Sequence, residues 1–369
     1  MNSNKYTQKT NIALISTYGY PLYDVSLSNQ GIGGTEVQLY YLVKCLKDKY
    51  SISVVVSDYG QGSVIEHDGV KFYRAMNLEK KLKNYLAAPF LFLRALERTQ
   101  AEIYITSPAG PEFYLTALYC VLRNKKYIHR VAHESETDGT VKEKSVIVGV
   151  VHRWSLRKAS ARVVQTEAQR KQLRNHYHLD SVAISNGFPL LKNLDSTKES
   201  ILWVARAVPW KRPEVFFEVT DHFPNEVFIM ICSGKGDYYE GIRQEADKRD
   251  NIRFISHVDF HEIQNYYNQA KLFLSTSEKE GFPNTFIQAC LGGVPIVSLG
   301  VDPDGFMEKY NTGIVVDNDI EVYLTKVRML LENTQVWEEM AHNAQTYVSR
   351  NHNIEETTKK WIQLLDTVV

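Results

Sequence analysis

Short apolar runs, each closed by small or polar residues, recur along this chain with helical spacing between them. Residues 11–16 (Asn-Ile-Ala-Leu-Ile-Ser) form the first run and read as a buried strand. A long polar loop follows. Beyond it Val37, Tyr40, Tyr41, Val43 and Leu46 keep a helical period, and residues 51–56 (Ser-Ile-Ser-Val-Val-Val) form the next strand. Strand, helix and strand at this spacing predict a βαβ unit and a parallel sheet. Further strands are predicted at 70–73, 103–106, 127–131, 161–165 and 182–184. At Ser185-Asn-Gly-Phe-Pro189 the pattern breaks, and a polar stretch runs to Ser200.

The alternation then restarts. Strands are predicted at 201–205, 227–232, 252–255, 272–275, 295–298 and 313–316, and helices at 213–223, 240–248, 262–269 and 284–291. Residues 354–369 carry Ile354, Trp361, Ile362, Leu365 and Val368 at amphipathic spacing. The expectation is an α/β protein of two consecutive domains, 1–188 and 189–353. The closing helix, 354–369, is free to pack back on the first.

Composition narrows the class. The 369 residues, 44% hydrophobic and 23% charged, can fill two cores. No apolar run approaches the roughly 18 residues that would span a bilayer. The polar start lacks a signal-peptide core, so a cytoplasmic location is expected. Cys45, Cys120, Cys232 and Cys290 are scattered without metal-ligand spacing and read as reduced, buried thiols. Nothing points to nucleic acid. Zero net charge conceals an asymmetry: residues 1–185 hold 25 Lys/Arg against 16 Asp/Glu, and the remainder 18 against 27. In the basic half, residues 78–98 place Lys80, Lys81 and Lys83 beside Leu82, Leu86, Phe90 and Leu93, with Pro89 interrupting. That pattern reads as core packing or as peripheral contact with an anionic membrane.

The chemistry is concentrated in residues 275–297, where a strand runs into a Gly/Pro/Asn turn, a helix from Asn284, a Gly-Gly stop and another strand. The start of that helix is an anion site, with free N–H groups and a positive dipole end. Glu280 stands just before it and Gln288 lies eight residues on. In Val204-Ala-Arg-Ala-Val-Pro-Trp-Lys-Arg-Pro213, Arg206 and Lys211 follow the first strand of the second domain. Gly31-Ile-Gly-Gly-Thr-Glu36 contains Gly33 and Gly34, where backbone can approach a ligand closely. A nicotinamide-binding reading of that loop fails, because its fingerprint begins immediately after strand one. Residues 128–136 contain His133, with His129 as competitor, and Ser233-Gly-Lys-Gly236 contains Lys235.

These stretches resemble retaining glycosyltransferase family four. The resemblance spans most of the chain and is strongest over 201–316. It implies a GT-B fold, two Rossmann-like lobes facing across a cleft, in which a sugar moves from a nucleotide-sugar donor to a glycan or lipid-linked acceptor. It places Glu280 on the donor sugar and puts Gln288 where the family has a ribose-binding Glu. Arg206 and Lys211 would neutralise the diphosphate, with Ala205 standing where the family has Gly. Gly33, Gly34, Lys235, Gly281, Phe282, Pro283, Asn284 and Thr285 would line the donor. His133 would serve catalysis, Glu134 the acceptor, Glu167 a structural or ribose-facing role, and Asn186-Gly187 a hinge turn. The family uses front-face attack without a metal, and the nucleotide-sugar is a substrate, so no cofactor is expected. A nucleotide-sugar epimerase on the same fold and an inactive nucleotide-sugar-binding subunit are the rival readings, the latter resting on Gln288.

Overall fold

The computed structural model describes residues 9–27, 32–77, 81–191 and 197–369, which form two compact units. Gly31, Leu78, Lys80 and residues 192–196 lie outside these, as does the Lys83 side chain. The first unit takes in the chain up to Val25, Ile32–Gly187 and Glu355–Val369, and the second is built on Phe188–Ile354.

The first unit holds strands β1 (Asn11–Ile15), β2 (Ser51–Asp58), β3 (Val64–His67), β4 (Val70–Asn77), β5 (Ile103–Thr106), β6 (Lys126–Arg130), β7 (Ala161–Val164) and β8 (Val182–Ala183). Helices α1 (Gly34–Leu46), α2 (Leu82–Thr99), α3 (Pro111–Leu122), α4 (Val141–Lys144), α5 (Val146–Lys158) and α6 (Glu167–Tyr177) cover them. The sheet order is β3-β4-β2-β1-β5-β6-β7-β8, parallel except for β3. Ile52, Val54, Val55 and Val56 are buried along one strand, as a sheet covered on both faces requires.

The second unit repeats the plan. Its strands are β9 (Ser200–Arg206), β10 (Phe228–Ser233), β11 (Ile252–Ile255), β12 (Ala270–Ser275), β13 (Ile296–Ser298) and β14 (Gly313–Val315), in the order β11-β10-β9-β12-β13-β14. Its helices are α7 (Pro213–His222), α8 (Asp237–Ala246), α9 (Ile263–Asn268), α10 (Asn284–Leu291), α11 (Phe306–Tyr310), α12 (Ile320–Glu332) and α13 (Thr334–Asn351). The last helix, α14 (Ile354–Val368), packs on the first unit. There Lys49 pairs with Asp366 at 2.9 Å, Tyr50 donates to the same carboxylate, and Lys126 Nζ reaches the Val369 carbonyl at 2.6 Å.

Each sheet has one point where the chain reverses its direction of travel. β1 lies between β2 and β5, and β9 lies between β10 and β12. Loops leaving the C-terminal ends of these central strands diverge, and ligands bind open α/β sheets in the crevice this creates.

Three features differ from the sequence expectations. The antiparallel hairpin β3–β4 turns at Asp68-Gly69, both with positive φ, but all four β3 residues are exposed or half-buried and lack the core signal. Pro89 sits inside α2 without ending it. Cys45 is half-buried, whereas Cys120, Cys232 and Cys290 are buried, and burial pushes the Cys232 thiol up to about 12.

Candidate active site

Loops after β9, β10 and β12 assemble most of the marked residues on one edge of the second unit. Arg206 is the last residue of β9, exposed, and its register partner is Ser233 at the end of β10. A 3-10 turn, Pro209–Lys211, then points Lys211 at Glu280, and the two form a part-buried ion pair. Three further bonds tie these loops. Thr276 Oγ1 donates to the Lys211 carbonyl at 2.5 Å, Trp203 Nε1 donates to Thr276 Oγ1 at 3.0 Å, and Glu278 N–H donates to the Trp210 carbonyl at 2.9 Å. The loop after β10 closes against them because Gly234 has no side chain. A Cβ there would lie 2.6 Å from Ala207 Cβ. Gly236, at φ +88°, lets the chain turn into α8 and leaves Lys235 exposed between the glycines.

The second half of the site is the start of α10. Gly281 is half-buried, and the Phe282 and Pro283 side chains are buried. Phe282 lies 4.6 Å from the His352 ring and 5.3 Å from the Phe306 ring, centroid to centroid. These two residues therefore anchor the turn, and only their backbone is open to a ligand. Asn284 and Thr285 begin the helix half-buried, where amide N–H groups and the dipole favour an anion. Gln288, one turn along, is also half-buried. Its carbonyl accepts from Gln264 Nε2 at 3.0 Å, while its side-chain amide has no hydrogen-bond partner among the described residues. No group of three or more His, Cys, Asp or Glu with metal-binding geometry occurs among the described residues.

The remaining marked residues lie on the first unit. Gly33 precedes α1 as its N-cap and Gly34 is its first residue. His133 is exposed in the loop after β6, whereas His129 is fully buried. His129 stacks on Phe113 at 3.8 Å between centroids and bonds Thr106 Oγ1 and Glu136 Oε2, each at 3.0 Å. Its competing claim to a ligand role falls away, since both ring nitrogens are committed. Glu134 is half-buried. Glu167 is exposed and pairs with Arg170 at 3.3 Å, one turn along α6. Asn186 is buried and accepts from the Arg130 guanidinium, and Gly187 N–H donates to Gln38 Oε1 at 3.0 Å.

Two family descriptions meet at the boundary between the units. Residues 32–190 match Glycosyltransferase Family 4, and residues 191–347 match Glycosyl transferases group 1. The chain belongs to glycosyltransferase family four. Its relatives include the poly(ribitol-phosphate) alpha-N-acetylglucosaminyltransferase of Staphylococcus aureus, 25% identical over 313 residues, which are 80% of this chain and 62% of that protein. An uncharacterized glycosyltransferase of Haemophilus influenzae is 25% identical over 55% of this chain and 60% of its own. The chain thus spans about three fifths of the length of these curated relatives. Among solved structures, sucrose-phosphate synthase from Thermosynechococcus elongatus superposes with a TM-score of 0.77 at 18% identity, covering 98% of this chain and 99% of that one. Anabaena HepE, solved with UDP and glucose, gives 0.73 at 16% identity over 96% and 99%. At such identities the likeness shows the fold, which is GT-B.

One residue that organises the first unit has no counterpart among the sequence-marked positions. Glu136 is buried, and Oε1 accepts the N–H groups of Ala132 and His133, each at 2.8 Å. Oε2 accepts Ala109 N–H at 2.8 Å and faces His129 Nε2. One carboxylate thus fixes the loops after β5 and β6 together, including the backbone of His133. The only sequence signal is a Glu three residues after the residue that begins a short turn, a capping spacing obscured here because that residue is His.

Burial alone would push the Glu136 carboxyl up, but the His129 bond, the charges of His129 and His133 and the Ala132 N–H outweigh it and hold it down at about 2. A carboxyl lowered from 4.5 contributes stability above the unfolded value and loses it as pH falls toward the folded one. Glu136→Gln should therefore cost on the order of 3 kcal/mol at neutral pH. The gap to wild type should close between pH 4.5 and about 2. Urea unfolding across pH checks this; a gap independent of pH over that window would show that Glu136 is not held ionised.

Proposed function

We propose that this glycosyltransferase moves a sugar, with retention of configuration and without a metal, from a uridine-diphosphate sugar to a glycan acceptor. The reading is carried by one observation: at the switch point of the second sheet, Lys211 in the loop that follows Arg206 pairs with Glu280 in the loop that leads into α10. Arg206 and Lys211, with Lys235 nearby in sequence to β10, meet the diphosphate. The backbone of Gly281, Phe282 and Pro283 and the first turn at Asn284 and Thr285 complete that anion site. Glu280 accepts hydrogen bonds from donor-sugar hydroxyls and Gln288 bonds the ribose, its free amide being suited to neutral hydroxyls. On the first unit, Gly33 and Gly34 admit close backbone approach, and His133 meets the reacting sugars. The names of relatives support the donor and acceptor classes: HepE was solved with UDP and glucose, and the staphylococcal relative is named for a polymeric acceptor.

In the proposed step, the bond from the anomeric carbon to the diphosphate oxygen breaks as the acceptor oxygen bonds to the same face. The acceptor proton passes to the leaving phosphate oxygen. Fixed cations stabilise the charge that builds on that phosphate, as oxyanion-hole donors do at about 2.7–4 kcal/mol each in acyl transfer. They do there what a metal would otherwise do. We further propose a cytoplasmic protein whose acceptor, free or lipid-linked, is met at the inner membrane face. Its four cysteines are unpaired, as in a reducing compartment.

Slow hydrolysis of UDP-glucose or UDP-N-acetylglucosamine tests the stereochemistry without an acceptor. Proton NMR before mutarotation should show the α sugar first, at a rate insensitive to chelator; an initial β sugar would overturn retention. For Gln288, the Leu variant should raise the donor dissociation constant about tenfold, the cost of one buried hydrogen bond, while Gln288→Glu should bind as well or better. Unchanged affinity in the Leu variant would remove Gln288 from the donor site. Hydrolysis seen only in the Glu variant would identify an inactive binding subunit.

A further inference from the structure

Two helices of the first unit begin with an apolar face that covers nothing. On α2, Leu82, Leu86 and Phe90 follow one another at intervals of four, and Arg94 and Arg98 continue the same line. On α5, Val146 and Val150 are continued by Arg153 and Arg157 at helical spacing, with Ile147 beside them. Leu82, Leu86, Phe90, Val146, Ile147 and Val150 are 64–76% exposed, far beyond what side chains of a core-facing stripe show. The arginines that continue the lines are exposed too. Both helices thus carry the same sequence of chemistry along their outer face, apolar at the start and cationic one to two turns later.

Topology puts the two apolar starts on one edge. α2 follows β4 and α5 follows β6, both parallel strands of one sheet, so each helix begins at the C-terminal edge of the sheet. α3 lies between them in contact with both. The short α4 crosses the first turns of α5, an approach that only glycine permits at position 149, where a Cβ would lie 2.8 Å from Lys142 Cα. Lys81 and Lys142, both exposed, flank the apolar residues, with Glu143 the acidic neighbour on α4. The loop carrying His133 leaves the same sheet edge.

We infer that this edge docks on an anionic bilayer, with the starts of α2 and α5 entering the headgroup–acyl boundary and the arginines behind them meeting lipid phosphates. An apolar tip with a cationic collar is the arrangement that holds a protein at such a surface. A second copy of the chain fits less well. Neither exposed line carries an acidic residue to meet Arg94, Arg98, Arg153 and Arg157, so two such faces would oppose like charges. The inference rests on the transferase reading only for its purpose, which is to bring the strand-end loops of the first unit to a lipid-linked acceptor.

Flotation of the full chain with phosphatidylcholine vesicles, with and without phosphatidylglycerol, tests it. The protein should float with the anionic vesicles at least about tenfold more than with the neutral ones, and high salt should reverse most of this. Leu86→Asp with Ile147→Asp, and separately Arg94→Glu with Arg157→Glu, should each abolish most of the binding. The stabilisation of each variant by UDP in a thermal-shift assay should match wild type, which shows that the fold persists. Flotation without any UDP effect would sink the transferase reading and leave the docking face standing. Absence of lipid-dependent flotation, variants that float like wild type, or a dimer broken by the Asp pair would overturn the docking face.

Discussion

A parallel strand cannot return to its neighbour except through a crossover, so every strand of such a sheet delivers its C-terminal end to the same edge. That constraint decides where chemistry can be placed in both units. The helices cover the faces and leave the strand-end edge, with its loops and helix starts, to bind ligands. The reversal of strand order at β1 and again at β9 parts those loops and opens a crevice. The basic, acidic and glycine-rich stretches of the second unit all follow its central strands β9, β10 and β12. His133 and the starts of α2 and α5 occupy the equivalent edge of the first.

Within that frame the Lys211–Glu280 pair has a particular standing. It joins the loop after β9 to the loop after β12, and the Thr276 and Glu278 bonds hold the same two loops in register. A part-buried pair of this kind contributes little net stability, because desolvation offsets most of the attraction. Its value is that each member is already positioned and desolvated. Under the proposed function, an arriving diphosphate replaces Glu280 as the partner of Lys211, and sugar hydroxyls replace Lys211 as the partner of Glu280. The exchange is one of partners and needs no rebuilding of the loops.

The sequence made the central strands legible because burial on both faces turns them into uninterrupted apolar runs, as in 12–15 and 228–232. The edge hairpin was hidden for the opposite reason: β3 is not buried, and only Asp68-Gly69 marked its turn. Contiguous stretches such as 275–297 could be read because strand, turn and helix follow one another along the chain. Glu136 could not, since the groups it holds come from Ala109 on one loop and from His129 and His133 around another. Phe282 gave no sign of its packing on His352, 70 residues away. The α2 pattern was ambiguous in principle. A 3.6-residue period shows that one face is apolar, but not whether protein or lipid covers it, and only the exposure of Leu82, Leu86 and Phe90 separates the two.

The central claim is that the edge formed by β9 and β12 is built to hold a nucleoside diphosphate, with Lys211 as a phosphate ligand that Glu280 occupies until the donor arrives. Calorimetric titration of UDP into wild type, Lys211→Ala and Glu280→Gln tests it most directly. The account predicts that Lys211→Ala weakens UDP by roughly tenfold to a hundredfold, the worth of one charge-assisted bond. It predicts that Glu280→Gln, which frees the lysine, binds UDP as tightly as wild type or more tightly. UDP affinity unchanged by Lys211→Ala in a folded protein, or lost in Glu280→Gln, would contradict it.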